Sequence, residues 1–420
     1  MNYFFTSESV SEGHPDKIAD QISDAILDAF LTLDKNSKVA CEVMVTTGQV
    51  IISGEIKSNA YIDIQKVVRD QIMKIGYSKS ELMFDYKSCG ILTYINKQSE
   101  DISRGIEKNN PSDQGAGDQG IMFGYATDET KNHIPIGLDI SHKILKEISL
   151  FRKESKQIKY LRPDSKCQVT VEYKKPNIPL KIKSVVISTQ HDEFGSEKVM
   201  HDRIKNDIKK LILPKMISKN PEYSELLADP KIQFYINPTG KFVIGGPNGD
   251  TGLTGRKIIV DTYGGKGAHG GGSFSGKDPS KVDRSAAYAA RHIAKNIIGA
   301  DIARECLIQV SYGIGMAKPL SVYVNTYGTS NLNISDEFLS SKIGELFDLR
   351  PFYIIERLKL KQPIYTETAS YGHVGRKSEI IKKNITGSIN ISKKISVELF
   401  TWEKLDYVDL LSQKFKKYFK

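Results

Sequence analysis

The sequence predicts an α+β protein made of three similar units, each a mixed sheet covered by helices. The chain has 420 residues, enough for two or three domains with their own hydrophobic cores. A helix, an alternating hairpin and a second helix follow one another three times. The first strands of the three hairpins begin near residues 39, 167 and 306. We therefore divide the chain into units at residues 1–100, 101–236 and 237–420.

A helix opens each unit, because apolar residues recur there every three or four positions. In the first unit Ile18, Ile22, Ile26 and Ala29 share one helix face. The same pattern places the three opening helices at residues 15–33, 138–153 and 279–298.

Alternation of apolar and polar residues after each opening helix predicts a hairpin. The hairpin strands are predicted at residues 39–47, 50–56, 167–173, 180–189, 307–313 and 320–327. Second helices are predicted at residues 60–75, 197–213 and 335–347, and further strands at residues 90–96 and 232–237.

The composition is that of a folded globular chain and excludes several classes of protein. Apolar residues make up 39% of the chain and charged residues 26%. No apolar run approaches the roughly 18 residues that span a bilayer, so we expect no membrane partner. The first residues lack the basic region of a signal peptide, which predicts a cytoplasmic protein. The four cysteines are far apart, which indicates neither a disulfide scaffold nor a zinc site.

The net charge of +10 would fit nucleic-acid binding, but its distribution favours another explanation. Lysine accounts for 48 of the 60 basic residues, and residues 377–420 contain ten lysines against five acidic residues. No aromatic-basic motif of a known nucleic-acid-binding module is present. We interpret the C-terminal excess as a solvated basic tail and expect no nucleic-acid partner.

Glycine is concentrated between residues 237 and 277, which contain 13 of the 33 glycines. Such a density indicates either tight turns or close approach of the backbone to a ligand. Cations beside free backbone N–H groups favour a ligand with several negative charges. The charged residues interleaved with the glycines or next to them are Lys241, Asp250, Arg256, Lys257, Lys277 and Lys281.

Two phosphate-loop patterns occur in this segment, and neither fits fully. Residues 271–277 match the opening of a Walker A loop, but Asp278 replaces the Ser or Thr that would bind magnesium. Residues 265–270 match a dinucleotide fingerprint after a strand predicted at residues 257–263. The next helix begins about nine residues too late for that fold. We therefore expect a phosphate site that differs from both.

A helix start after the glycine-rich segment is a candidate anion site. Asp278 and Pro279 fit the N-cap and first residue of a helix, whose free N–H groups attract anions. Lys277 and Lys281 would repel each other at this helix end. Either a phosphate chain binds between them or both side chains point into water.

The N-terminal unit has a similar start, where Pro15 opens a helix and His14 precedes it. Asp16, in this first turn, and Asp283 in the third unit are the acids expected to bind magnesium, which prefers oxygen ligands. Every fourth residue after Asp16 is also acidic, and we interpret most of this stripe as a solvated helix face. The stripe consists of Asp16, Asp20, Asp24 and Asp28.

Two loops complete the candidate site. Residues 113–120 contain Asp118 and three glycines without periodicity, which predicts a rigid polar loop and a possible wall of a substrate site. Residues 97–112 are rich in polar residues and predict a mobile connection that could act as a lid.

Long segments of uncommon composition resemble the S-adenosylmethionine synthetase (methionine adenosyltransferase) family. The similarity runs from about residue 3 to residue 376, and the segment GGGSFSGKDPSKVDR at residues 270–284 is among the most specific. The other segments are residues 5–17, 114–125, 236–247 and 252–257.

The resemblance implies three similar α+β domains about a pseudo-threefold axis, which agrees with the repeated elements. It implies a homotetramer, built as a dimer of dimers, with active sites at the subunit interface. The family makes S-adenosylmethionine from ATP and L-methionine by attack of the thioether sulfur on ribose C5′, with triphosphate as the leaving group. The tripolyphosphate is then cleaved to phosphate and diphosphate. Mg²⁺, two ions per site, and K⁺ are the implied cofactors.

The resemblance also implies roles for single residues, matched motif by motif. Asp16 and Asp283 should hold magnesium, and Glu42 should hold potassium. Residues 98–108 resemble the gating loop over the site. The catalytic residues expected around the triphosphate are His14, Lys166, Arg256, Lys257, Lys277 and Lys281. Those expected to face methionine are Glu55, Gln98 and Asp250, and those expected near the nucleotide are Asp164, Lys241, Phe242 and Ser273, with Asp118 on the substrate wall.

Residues 377–399 depart from the family pattern, because they separate two family segments that usually lie close together. We interpret them as a surface insertion, a hairpin at most, that touches none of the assigned residues. Another Mg-ATP-dependent enzyme, a kinase or ligase, is the alternative function, and it would release ADP or AMP or leave phosphate on a substrate. A nucleic-acid binder is the weakest alternative and would show a steep salt dependence.

Overall fold

The computed structural model describes residues 2–97, 110–175, 177–388 and 391–420. The predicted gating loop at residues 98–108, with Gln98, lies outside these ranges. The strands are β1 (Asn2–Val10), β2 (Lys38–Thr46), β3 (Gln49–Lys57), β4 (Gly90–Asn96), β5 (Gly120–Thr127), β6 (Leu161–Lys174), β7 (Ile178–His191), β8 (Gln233–Ile236), β9 (Gly252–Leu253), β10 (Glu305–Tyr312), β11 (Ser321–Asn325), β12 (Glu379–Ser388) and β13 (Ile391–Leu399). The helices are α1 (Pro15–Leu33), α2 (Ile64–Ile75), α3 (Ile136–Glu154), α4 (Glu197–Asp207), α5 (Leu213–Lys219), α6 (Ser224–Leu227), α7 (Ile258–Asp261), α8 (Val282–Gly299), α9 (Asp336–Leu346), α10 (Pro351–Arg357) and α11 (Val408–Phe415).

Three sheets form the framework, in the strand orders β4-β3-β2-β9, β1-β6-β7-β8 and β11-β10-β5. The first two are mixed, because β3 pairs with β4 and β7 with β8 in parallel. In the third, the described strands are antiparallel. The predicted α+β class with three sheet-based units is confirmed, and so are the predicted hairpins.

Each sheet takes one strand from a different unit. Strand β1 of the first unit pairs with β6, β5 of the second unit pairs with β10, and β9 of the third unit pairs with β2. This cyclic exchange joins the three units into one body. The sequence analysis did not identify these strands, because each lies outside the hairpins that set the repeat.

Helices α1 and α8 are buried almost along their whole length. Ile18, Ile22 and Ile26 of α1 are fully buried against the first sheet. Helix α8 lies so close to β5 that a Cβ on Gly124 would come within 2.0 Å of the carbonyl carbon of Ala290. The first turns of both helices are therefore fixed relative to the sheets that carry the candidate site.

Two predicted elements near the glycine-rich segment are wrong. The third opening helix begins at Val282 with Lys281 as its N-cap, not at Pro279. Asp278 closes a separate turn before it, because its carboxylate accepts from Ser280 N at 2.9 Å and its carbonyl accepts from Lys281 N at 3.1 Å. The predicted strand at residues 257–263 is the short helix α7 instead.

The C-terminal region is more than a solvated tail. Strands β12 and β13 pair as a hairpin. Lys383 of this hairpin donates to Asp28 of α1 at 3.1 Å, so the predicted surface insertion is tied to the body of the protein. Glu403 is buried and paired with Arg291 at 2.9 Å. Among the helices in the described ranges, none combines the length and hydrophobicity needed to cross a membrane.

Candidate active site

The start of α1 places His14 at the centre of the first group of site residues. His14 is the N-cap, Pro15 is the first helical residue, and His14 Nδ1 accepts from Asp16 N at 3.1 Å. Burial lowers the pKa of His14 to about 3, and the nearby Lys257 adds to the decrease. The imidazole is therefore neutral at pH 7, and its ring hydrogen is on Nε2 because Nδ1 is an acceptor.

Asp16 holds the glycine-rich segment against the same helix start. Its carboxylate accepts from Leu253 N at 2.9 Å and from Lys257 Nζ at 2.5 Å, and Arg256 Nη1 lies 3.8 Å away. Burial raises the pKa of Asp16, but the bonds from Lys257 and Leu253 outweigh it and lower the pKa below its usual value. A Cβ on Gly252 would lie 2.2 Å from the Pro15 carbonyl oxygen, so this close approach requires glycine.

The pairing of β1 with β6 brings two further predicted residues to this place. Val10 is the register partner of Lys166, and Ser11 N donates to Ser165 O at 2.9 Å. Asp164 is buried and accepts from Gly246 N at 3.0 Å. Its other oxygen, Oδ1, has no partner among the described residues. Burial raises the pKa of Asp164 to about 6.

Asp164 is within electrostatic range of Lys166, Asp250 and Lys257, so these residues lie close together. An unpartnered buried carboxylate oxygen surrounded by lysines is suited to a polar ligand. We name this group the first cluster. It consists of His14, Asp16, Asp164, Lys166, Asp250, Arg256 and Lys257.

A second group lies at the first turn of α8. Lys277 Nζ donates to Asp283 Oδ2 at 2.6 Å. Lys277 pairs with Ala40 of β2 through an isolated bridge, and Cys41 N donates to Gly276 O at 3.0 Å. Backbone bonds to β2 of the first sheet thus hold Gly276 and Lys277 in place.

The side chains near Lys277 and Asp283 are acidic or hydroxylic. Glu42 on β2 and Glu55 on β3 are both exposed, and Glu42 interacts electrostatically with Lys277 and Glu55. The buried Oγ of Ser273 has no hydrogen-bond partner in the described part of the chain. We name this group the second cluster. It consists of Glu42, Glu55, Ser273, Lys277 and Asp283.

Four other predicted residues lie at the margins. Lys281 pairs with Asp278 rather than with Asp283. Lys241 pairs with Glu193, while Phe242 N donates to His191 Nε2 at 3.1 Å. Asp118 is exposed in the loop before β5. A Cβ on Gly120, the first residue of that strand, would lie 3.8 Å from Asp283 Oδ1, so this loop borders the second cluster.

Within one chain, the segment that follows β9 runs between the two clusters. Thr254 N donates to Val43 O at 3.0 Å, next to Glu42, and a Cβ on Gly255 would lie 2.5 Å from Ser273 Oγ. Among the described residues, no hydrogen bond or ion pair joins a side chain of one cluster to a side chain of the other. The side chains of each cluster are thus held in place without contacts to side chains of the other cluster.

The carboxylates available for metal ions fit magnesium bound together with phosphate better than a metal ion bound by protein side chains alone. In the described ranges, no group of three His, Cys, Asp or Glu side chains converges as a metal site. Asp16 and Asp283 instead each hold the ammonium group of a lysine. Magnesium in nucleotide sites commonly takes one or two carboxylates and completes its shell with phosphate oxygens and water. The donors present therefore suit a metal that arrives with a phosphate chain.

The interpretation of the acidic stripe of α1 as a solvated face is wrong. Asp20 and Asp24 are fully buried, and Asp28 is 2% exposed. Each of them accepts hydrogen bonds from residues distant in sequence. The sequence held one signal of this, since apolar residues such as Ile18, Ile22 and Ile26 occupy most of the other positions of the helix.

Comparison with known proteins identifies the family. Models of the N-terminal, central and C-terminal domains of S-adenosylmethionine synthetase match residues 2–100, 113–242 and 244–384. The S-adenosylmethionine synthase of Flavobacterium johnsoniae is 60% identical over 415 residues, which covers 99% of this chain and 100% of the relative. That of Cytophaga hutchinsonii is 59% identical over 416 residues, or 99% of each chain.

A further relative, the S-adenosylmethionine synthase of Azobacteroides pseudotrichonymphae, is 58% identical over 424 residues and covers 99% of this chain. Identity at this level over nearly the whole length confirms the resemblance inferred from the motifs. The chain belongs to the S-adenosylmethionine synthetase family.

Proposed function

We propose that the first cluster of one subunit and the second cluster of its partner together bind the triphosphate of ATP and stabilise it as the leaving group. The chain is a methionine adenosyltransferase, which forms S-adenosylmethionine from ATP and L-methionine. The observation that supports the proposed residue roles is the convergence of His14, Arg256, Lys257 and Lys166 at the N-terminal end of α1, the positive end of the helix dipole.

The reaction places its main demand on the leaving group. A thioether sulfur is already nucleophilic, so attack on ribose C5′ needs no general base. The departing triphosphate develops negative charge, which fixed cations in a water-poor site stabilise. Arg256, Lys257 and Lys277 supply positive charge, and neutral His14 donates a hydrogen bond from Nε2. Positioning for in-line attack is the second requirement.

Buried Asp164 is assigned to the nucleotide, because its unpartnered oxygen can accept a hydrogen bond from a ligand. Lys241 and Phe242 lie on the segment that leads to Gly246, the residue that bonds to Asp164. Glu55 and Asp250 are assigned to methionine, whose ammonium group pairs with carboxylates. Ser273 and Asp118 line the second cluster side of the site.

The family reaction uses a divalent and a monovalent cation, which we assign as Mg²⁺ and K⁺. Asp16 and Asp283 would hold Mg²⁺, and exposed Glu42 would hold K⁺. When bound, Mg²⁺ adds positive charge at the phosphate oxygens of the leaving group. With a metal on the two aspartates, Lys257 and Lys277 would be free to contact phosphate. Their positive charge would also stabilise cleavage of tripolyphosphate to phosphate and diphosphate.

We also propose that the site is shared between subunits of a homotetramer built from two dimers, located in the cytoplasm. Glu42 and Glu55 of the second cluster lie on strands of the first sheet, and strand β4 of that sheet carries exposed large side chains. Leu92 and Tyr94 of β4 are 43% and 60% exposed, and Ile121 of β5, a strand of the third sheet, is 45% exposed. Such apolar exposure beside a polar site is typical of a subunit interface.

The direct test is to incubate the purified protein with ATP, L-methionine, Mg²⁺ and K⁺ and to analyse the products by mass spectrometry. We expect a sulfonium product, with phosphate and diphosphate released in equal amounts. Release of ADP or AMP, or phosphate retained on a substrate, would instead support a kinase or ligase. Omission of methionine is the control that separates transfer from hydrolysis of ATP alone.

A further inference from the structure

The buried acids of α1 contact the backbone of the two segments that carry the triphosphate-binding cations. We propose that Asp20 and Asp24 are positioning residues that fix Arg256 and Lys277 before the substrates bind. This inference rests on the proposed function, because it takes these two cations to bind phosphate.

The spacing of the acids makes them suitable anchors. Residues four apart on a helix lie on one face and are about 6 Å apart along the axis. Three successive carboxylates of this row, those of Asp16, Asp20 and Asp24, each accept a backbone N–H from residues 253–276. The rigid helix thereby sets the separation of the two glycine segments.

Asp20 anchors the segment of the first cluster. Its Oδ1 accepts from Gly255 N at 2.8 Å, and the next residue in the chain is Arg256. Its Oδ2 accepts from Lys17 Nζ at 2.8 Å, and that ammonium group also donates to Asp261 at 2.5 Å. All three charged side chains are almost fully buried. A fully paired buried network of this kind holds one geometry.

Asp24 and its partner Arg284 hold the segment of the second cluster at two neighbouring residues, Gly276 and Lys277. Its Oδ1 accepts from Gly276 N at 2.9 Å. Arg284 bonds to both Asp24 oxygens, at 2.7 and 2.9 Å, and donates to Lys277 O at 3.2 Å. The Asp24–Arg284 ion pair therefore holds the N–H of Gly276 and the carbonyl oxygen of Lys277.

The anchored segment cannot easily shift to another position. Gly276 has φ +80°, and a Cβ there would lie 1.9 Å from Cys41 O, which pins the segment against β2. Gly255 has φ +77° and lies against Ser273. Both anchored residues are glycines in the left-handed region, so the anchors and the local backbone fix the same geometry.

The last acid of the row has the same burial but different partners. Asp28 accepts from Tyr365 N and Thr366 N, both at 2.9 Å, and from Lys383 Nζ at 3.1 Å. None of these residues belongs to either cluster. Asp28 is thus a matched control, on the same helix and equally buried, that holds structure away from the site.

The test compares Asp24→Asn with Asp28→Asn in the full chain. We expect Asp24→Asn to lower kcat by between about tenfold and 100-fold, because small misplacement of a catalytic group has effects of that size. Methionine KM should stay within about twofold, since the variant leaves the methionine contacts in place. Affinity for inorganic tripolyphosphate should weaken. Asp28→Asn should lower the melting temperature but leave kcat and tripolyphosphate affinity within about twofold.

Equal kcat values for the two variants would overturn the inference. Lys277→Ala serves as the reference, because an unchanged kcat there would refute the proposed role of the cation rather than its anchoring. If Asp24→Asn does not fold, Asp20→Asn decides by the same measurements on the other segment. A kcat loss there supports positioning, and an unchanged kcat contradicts it.

Discussion

Each cluster contains an Asp–Lys ion pair, and the two pairs lie in different surroundings. Asp16 and Lys257 are 2.5 Å apart, and Asp283 and Lys277 are 2.6 Å apart. Each aspartate lies in the first turn of a long helix, and each lysine comes from a glycine-rich segment. The side chain of Asp16 is only 4% exposed, whereas that of Asp283 is 23% exposed.

The pair of Asp16 is therefore closed, because residues of its own chain cover the carboxylate, whereas the pair of Asp283 is open to solvent. Asp16 also accepts from Leu253 N and lies beside buried His14, so its surroundings are closed by its own chain. Asp283 has Lys277 as its charged partner in the described residues and keeps part of its side chain exposed. In the proposed oligomer, the open pair is the one that a second subunit would complete.

The largest expected effect is on catalysis, and it should be similar for both clusters. His14→Asn and Lys277→Ala should each slow product formation by about 100-fold or more, because each removes a donor that stabilises the leaving group. Methionine binding should change far less. Steady-state kinetics with both substrates provides the measurement, and an unchanged kcat with a raised KM would contradict this role.

A smaller effect distinguishes the closed pair from the open one. In the absence of substrates, Asp16→Asn should destabilise the fold by about 2 kcal/mol, because the Asp16 carboxylate is buried and accepts from both Lys257 Nζ and Leu253 N. Asp283→Asn should cost less than about 0.5 kcal/mol, since that carboxylate is partly exposed. Thermal melts of both variants provide the comparison. Equal losses would show that the two pairs do not differ in this way.

The smallest effect is on the pH dependence of stability in the first cluster. The pKa of Asp164 is raised to about 6 in the folded chain, against 3.8 for an unperturbed Asp. As the pH falls from 7 to 5, the folded state binds this proton before the unfolded state does. The native protein should therefore gain about 1 kcal/mol relative to Asp164→Asn over this interval. A melting-temperature difference between the two proteins that does not change with pH would contradict this assignment.

The sequence predicted elements that are defined by local periodicity. The hairpins and α1 were found because alternation and helical spacing are properties of neighbouring residues. Strands β1, β5 and β9 were not found, because each pairs with a sheet in another unit. The start of α8 was misplaced because Asp278 and Pro279 form a turn that resembles a helix cap in sequence.

The candidate site was predictable in its residue types but not in its anchoring. Glycine density and the motifs of residues 5–17 and 270–284 pointed to part of both clusters, whereas the family resemblance alone assigned Glu42, Glu55, Asp164 and Lys166. The role of Asp20 and Asp24 was not predictable, because an acidic stripe on a helix is ordinarily a solvated face. Only the fold brings Gly255 and Gly276 onto that stripe.

Mixing of two inactive variants tests the central claim, that the first cluster of one subunit and the second cluster of its partner bind one triphosphate. His14→Asn removes the first cluster and Lys277→Ala the second, so a mixed dimer would keep one site with both clusters intact. Co-expressed and purified together, the two variants should recover about one quarter of the native activity, as random pairing in a twofold dimer requires. Recovery no greater than the sum of the two separate variants would contradict the claim.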